Sequence, residues 1–264
     1  RILPVLAWTP AWAGSAWNKI PADPTEYAEY TAQVVARYGP GGSFWEAHPE
    51  IAAFAPQHFE IWNEPYLPMF SAGGVDAGRY ARLVKAAVSA GRAANPEARF
   101  LLQADRTPPG DARHSFIDDM YAAVPDLNSY FDAVAVHPYG GSSGPDDPRG
   151  GWGFPRLAAA RERFVAHGAA DKPLWITEVG WSTCPQSPDY CTSERKQAAY
   201  LERMFELLRT KYSGYVEAAF VYHREDHPRQ VPDDKEGWFG LERRDGSHKP
   251  AYEVYRTSAI ASAS

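Results

Sequence analysis

The chain has 264 residues, with 27 basic and 33 acidic side chains and a formal net charge of −6. That balance argues against electrostatic binding of nucleic acid or an anionic membrane surface, whereas a neutral ligand carries no such penalty. No run of about 18 apolar residues occurs, which excludes a transmembrane helix. Short apolar runs alternate with amphipathic stretches, the pattern of βα units around a parallel sheet. A first strand is expected at Ile2–Trp8, with Trp12 and Trp17 in the loop beyond it, and then a helix over Pro24–Tyr38 capped by Asp23. Next come a strand at His58–Asn63, a helix at Asp76–Ala94, a strand at Arg99–Ala104 and a helix at Ser115–Val124 capped by Ser115. Strand Phe131–His137 leads into the turn-rich loop Gly140–Gly153 and a helix over Pro155–His167. Strand Pro173–Glu178, helix Ser193–Tyr212 capped by Ser193, strand Tyr215–Tyr222 and a last helix after Pro250 complete the series. No linker, low-complexity tract or internal repeat interrupts it, so residues 1–264 read as a single domain.

Neither an initiator Met nor a signal-peptide pattern precedes the first strand, and Arg1-Ile2-Leu3 opens directly into it. The expectation is an excised or processed piece of a longer polypeptide. Cys184 and Cys191 are the only cysteines and share a Pro-rich loop. Two thiols that close favour a local disulfide, and hence an oxidising, secreted setting, over two free thiols. A metal site is disfavoured, because the segment holds no third or fourth ligand. The Asp226-His227 pair alone does not make one either.

Two strands end in a glutamate set among aromatic and polar residues, Phe59-Glu60-Ile61-Trp62-Asn63-Glu64-Pro65 and Leu174-Trp175-Ile176-Thr177-Glu178-Val179-Gly180-Trp181. A carboxylate at the end of an apolar parallel strand is expensive to bury without a purpose. At the C-terminal mouth of a barrel it is a candidate catalytic group. Two of them suit cleavage of a glycosidic bond, one protonating the leaving oxygen while the other attacks the anomeric carbon. Glu60 shares strand parity with Glu64 and is read as structural, pointing inward lower down and paired with a base.

On these residues the sequence resembles the clan A glycoside hydrolases. Trp62-Asn63-Glu64-Pro65 is similar to the segment that carries the clan's acid/base after strand four. Thr177-Glu178-Val179-Gly180-Trp181 is similar to the nucleophile strand, strand seven. Two expected strands lie between them, as strands four and seven require. Gly240-Leu241, Asp245-Gly246-Ser247 and Lys249-Pro250-Ala251-Tyr252 match the clan's closing segment, and His137-Pro138-Tyr139 draws the likeness nearest to family thirty-nine and its cellulase-like relatives. The resemblance implies a (β/α)8 TIM barrel and a retaining hydrolase of β-linked oligo- or polysaccharides, with Glu64 as acid/base and Glu178 as nucleophile. It also implies that Asn63 bonds the sugar 2-hydroxyl, and that no cofactor is needed.

His137 and Tyr139 share strand parity, so either is placed to donate to Glu178 and keep it ionised. Trp181 is the leading sugar-stacking candidate, with Trp8 a further one; Trp12, Trp17, Trp152 and Trp238 divide between sugar platforms and loop anchors. Clan members often carry a Trp at the end of strand eight; here Tyr222 and His223 stand there. If Glu64 follows strand four, Ile2–Trp8 is strand three and the first two βα units are missing. The expectation is then an incomplete barrel with open, aggregation-prone edges. The expected partner is a carbohydrate, with no nucleic acid and no membrane, and the oligomeric state is left open. The competing function is a non-catalytic carbohydrate-binding barrel, which has no reason to keep both glutamates.

Overall fold

The computed structural model describes residues 2–104, 115–148 and 153–261. Six strands alternate with helices: β1 (Val5–Leu6), α1 (Thr25–Tyr38), α2 (Ser43–Ala47), β2 (His58–Ile61), α3 (Ala77–Ala94), β3 (Arg99–Gln103) and α4 (Phe116–Ala123). β4 (Ala133–Val136), α5 (Arg156–Ala166), β5 (Leu174–Val179), α6 (Glu194–Thr210), β6 (Val216–Val221) and α7 (Pro250–Ala261) follow. Among the described residues no helix is long and apolar enough to cross a membrane. Trp152 and part of the Gly140–Gly153 loop lie outside the described residues.

The chain forms two compact units, one running to Ala135 and including Glu162–Pro173, the other made of Val136–Arg161 and the residues from Leu174 onward. In the first, β1, β2, β3 and β4 pair in chain order and in parallel, with Val5 opposite Glu60, His58 opposite Arg99 and Leu101 opposite Ala133. Phe100, Leu101, Leu102 and Gln103 of β3 and all four residues of β4 are buried, as expected of parallel strands covered on both faces. Glu60 is fully buried within this core. Helix α3 packs between α1 and α4, with Leu83, Val84, Ala87 and Val88 on its buried face. In the second unit β5 and β6 pair in parallel, and α6 packs on α7. Every residue of β6 keeps some exposure, in contrast to β3 and β4.

Helix starts follow local chemistry. Asp76, Ser115 and Ser193 each accept a hydrogen bond from the backbone N–H three residues on, satisfying a donor the helix leaves free. Asp23, expected to cap α1, does otherwise: its Oδ1 accepts from the N–H and hydroxyl of Thr25, closing a turn two residues long. Pro24 takes the cap position of α1 without a side-chain bond. β1 and β2 are shorter than their apolar runs, for a reason that belongs to the site.

Candidate active site

In the first unit the chain leaves β2 through a backbone that bulky residues avoid. Trp62 has φ 66° and Glu64 φ 42°, and beside them Trp8 has φ 76° at the end of β1. These are the non-glycine residues with positive φ among those described, and such strain persists only where the surroundings over-determine it. The surroundings do so here. Trp62 N donates to Leu6 O at 2.9 Å, and its buried indole donates to Phe70 O at 3.0 Å. The Tyr27 hydroxyl, from α1, also donates to Leu6 O.

On the other side stands Tyr80 of α3, fully buried, its hydroxyl pushed well above the ordinary tyrosine range by burial. It therefore stays protonated, donating to Ile61 O at 2.9 Å while accepting from Gln103 N at 2.8 Å. The Gln103 side-chain carbonyl in turn accepts from Glu64 N, so one buried tyrosine ties the ends of β2 and β3 to the Glu64 backbone. Beyond Glu64, Leu67 N closes a turn on Glu64 O, and the Ser71 hydroxyl donates to Pro65 O. The Tyr66 hydroxyl lies 3.5 Å from Glu64 Oε1. Asn63 is half-buried between Trp62 and Glu64.

In the second unit Glu178 lies inside β5. Ile176 faces Ala219 and Val179 faces Val221, so Thr177 and Glu178 together oppose Phe220 alone. That is a β-bulge, a device that re-aims a side chain. The Tyr139 hydroxyl donates to Glu178 Oε2 at 2.8 Å, and His137 Nδ1 stands 3.7 Å from the same oxygen. His137 is buried, and its Nε2 shares a 3.0 Å hydrogen bond with the Thr177 hydroxyl. An O–H donated to a carboxylate favours its ionised form. Tyr139 is held by edge contacts with Tyr222 and Phe239, and Tyr222 with Phe239. Gly180 makes this packing possible, since a Cβ there would stand 2.1 Å from Tyr222 O. Tyr222 is half-buried, and the peptide to His223 is cis.

A buried ion pair supports the segment behind these rings. Lys249 and Asp226, 1% and 2% exposed, meet at 2.8 Å. Lys249 Nζ also donates to the Thr183 hydroxyl and Trp238 O, and Asp226 accepts from Gly240 N and from Gln230. Cys184 and Cys191 form a disulfide in the loop after β5.

One expectation for the tryptophans changes, and one left open is decided. Trp181 is 2% exposed: its indole donates to Ser143 O and its ring packs on Tyr200, so it has no face left for a sugar. Trp238 is an anchor, its indole donating to Val231 O. Trp8 and Trp17, by contrast, are 41% and 55% exposed. Gln103 and Tyr80 escaped the sequence reading, although a lone amide ending the run Phe100-Leu101-Leu102 was a visible signal. Among the described residues no group of three or more metal-ligating side chains is placed to hold an ion.

No protein-family model and no curated protein matches the chain. Its fold does match solved structures. A family 39 glycoside hydrolase from the gut symbiont Bacteroides cellulosilyticus WH2 is similar with a TM-score of 0.68 and 23% identity, over 97% of this chain and 50% of that one. A family 39 β-xylosidase from Caulobacter crescentus gives 0.62 and 22%, over 97% and 51%. The family 53 catalytic domain from Ignisphaera aggregans gives 0.60 and 17%, over 96% and 69%. The chain thus spans about half the length of the family 39 structures it matches. What it shares with these clan A glycoside hydrolases is the α/β fold, with parallel strands and helices alternating as in a (β/α) barrel wall.

Proposed function

We propose that the protein is a retaining glycoside hydrolase of β-linked oligo- or polysaccharides, with Glu178 as nucleophile and Glu64 as acid/base. In this reading β2 and β5 are the fourth and seventh strands of an eight-stranded barrel, and β1 is the third. The observation that carries it is the setting of Glu178, aimed by a bulge and held by the Tyr139 hydroxyl at 2.8 Å. The likeness in fold to family 39 enzymes supports the same reading.

The chemistry is a double displacement. A Glu178 oxygen bonds to the anomeric carbon as the glycosidic C–O bond breaks, and Glu64 passes its proton to the departing oxygen. Water then gives a proton to Glu64 and its oxygen to the anomeric carbon, releasing the Glu178 carboxylate. Asn63 holds the 2-hydroxyl, and Tyr222 and Trp8 contact sugar. The Cys184–Cys191 disulfide supports an oxidising, secreted setting. One structural neighbour is a β-xylosidase, which makes β-xylosides the first substrates to try. The purified protein is offered aryl β-xyloside, β-glucoside, β-galactoside and β-mannoside while proton NMR follows the first anomer released. Release of the β-anomer is expected; the α-anomer, or no turnover of any substrate, would sink the assignment.

A further inference from the structure

We infer that Tyr80 and Gln103 are positioning residues for Glu64, placing its carboxyl for the proton transfers to the leaving oxygen and from water. The inference rests on the hydrolase reading above and extends it to two fully buried side chains.

The segment Trp62-Asn63-Glu64 leaves the sheet after Ile61 and is held at both ends. The β2–β3 ladder opens with Arg99 N donating to Gln57 O and steps two residues along each strand. Its last rung falls on Ile61 O and Gln103 N. The Tyr80 hydroxyl clips that rung, donating to Ile61 O at 2.9 Å and accepting from Gln103 N at 2.8 Å. At the other end of the segment, Glu64 N donates to the Gln103 side-chain oxygen. Three residues between two fixed points, with Trp62 and Glu64 both left-handed, leave the Glu64 backbone little freedom.

Both side chains are themselves held. Tyr80 lies on the buried face of α3 with Leu83, Val84 and Ala87, and its ring packs on Phe116 of α4 with centroids 6.1 Å apart. Phe116 also meets Tyr66, two residues past Glu64. Beyond Gln103 the next rung to β4 is intact, Ala104 N donating to Ala135 O at 3.1 Å. An amide at a fully buried strand end is costly unless its polar atoms are bonded. The Gln103 oxygen goes to the backbone of the residue that carries the acid, which fixes where the carboxyl stands and adds no charge beside it. Loss of that contact should weaken proton transfer, which depends on placement. Attack by Glu178, which sits in the second unit with Tyr139 as its own donor, should be spared.

The test compares Tyr80→Phe and Gln103→Met, each close in size to the residue it replaces, with the unmodified protein. The substrates are 2,4-dinitrophenyl and p-methoxyphenyl β-glycosides of xylose, glucose, galactose and mannose. Dinitrophenolate departs without a proton, whereas p-methoxyphenolate needs one. On the sugar that is cleaved, each variant is expected to lose about tenfold or more in kcat/KM with p-methoxyphenyl and less than about twofold with 2,4-dinitrophenyl. With the dinitrophenyl substrate kcat should fall, because water needs Glu64 as its base. Sodium azide needs no base, and should restore kcat as its nitrogen bonds to the anomeric carbon and the Glu178 ester bond breaks, releasing a β-glycosyl azide. Equal losses on both leaving groups, or no loss on either, overturn the inference, since a merely structural role does not distinguish them. If Tyr80→Phe does not fold by circular dichroism, Gln103→Met decides, and failure of both to fold means that the pair serves the fold alone. If the unmodified protein cleaves none of these glycosides, the hydrolase reading fails and takes the inference with it. If it cleaves one and the variants show no selectivity, the inference alone fails.

Discussion

Glu64, in the first unit, and Glu178, in the second, are positioned by different means. Around Glu64 the backbone does the aiming: Trp62 and Glu64 sit in left-handed conformations, locked by Leu6, Phe70 and the Tyr80–Gln103 relay. Around Glu178 the backbone stays extended apart from the bulge, and side chains from a separate strand end, Tyr139 and His137, meet the carboxylate. The difference matches the two proposed tasks. A nucleophile benefits from donors that keep it ionised and fixed in one rotamer, whereas a group that exchanges a proton twice per turnover needs its position held relative to the departing oxygen.

The largest expected effect separates the tasks. Glu178→Gln should cost about 10⁴-fold or more in kcat for every leaving group, because no covalent intermediate can form. Glu64→Gln should cost about 10²–10⁴-fold with a poor leaving group and far less with 2,4-dinitrophenolate, which departs without a proton. Steady-state rates across a leaving-group series measure both, and equal sensitivity in the two variants would erase the distinction. A smaller effect probes the donors. Tyr139→Phe removes a hydrogen bond to a charged group, worth about 1.5–3 kcal/mol, or about 10–100-fold in rate. Tyr66→Phe, across a 3.5 Å contact with Glu64, should change the rate by no more than about threefold. Were Tyr66→Phe the more damaging, side chains rather than backbone would govern both glutamates.

The smallest effect concerns stability. Burial lowers the pKa of His223 from its ordinary 6.5, outweighing the nearby Asp226 carboxylate. On acidification the unfolded chain protonates first, so this contribution is complete above about pH 6.5 and is lost as pH falls through the folded value. His223→Asn should flatten that part of the thermal-stability profile by at most a few degrees in Tm. An unchanged acid slope would show that other groups set it.

The alternation of strands and helices was legible because parallel strands leave contiguous apolar runs, and all six appear where those runs lie. Their ends were less so. His58–Asn63 reads as one strand, but β2 stops at Ile61 because Trp62 turns left-handed, a conformation nothing in a tryptophan announces. The two glutamates stood out as charges closing apolar runs. The Tyr80–Gln103 relay did not, since it joins three segments far apart in the chain. Trp181 looked like Trp8, an indole just past a strand, and only the distant Ser143 and Tyr200 make it a packed residue. The same limit applied to Asp23, which resembles Ser115 and Ser193 in sequence but bonds Thr25 instead.

The Asp226–Lys249 pair also bears on how this molecule can change. Asp226 engages Lys249 and Gly240 N through one oxygen and Gln230 through the other, while Lys249 reaches Thr183 and Trp238. Between these moorings the stretch Val231–Glu236 lies exposed throughout. Lengthening a loop whose ends are already fixed costs only about 0.6 kcal/mol per doubling. The carbonyls of Val231, Pro232 and Lys235 accept from the Trp238 indole, Gln186 N and the Ser182 hydroxyl. New sequence grafted between them, at Asp233, therefore leaves those bonds and the support behind Tyr139 in place, and a lineage, or a designer, can rework the molecule's reach there.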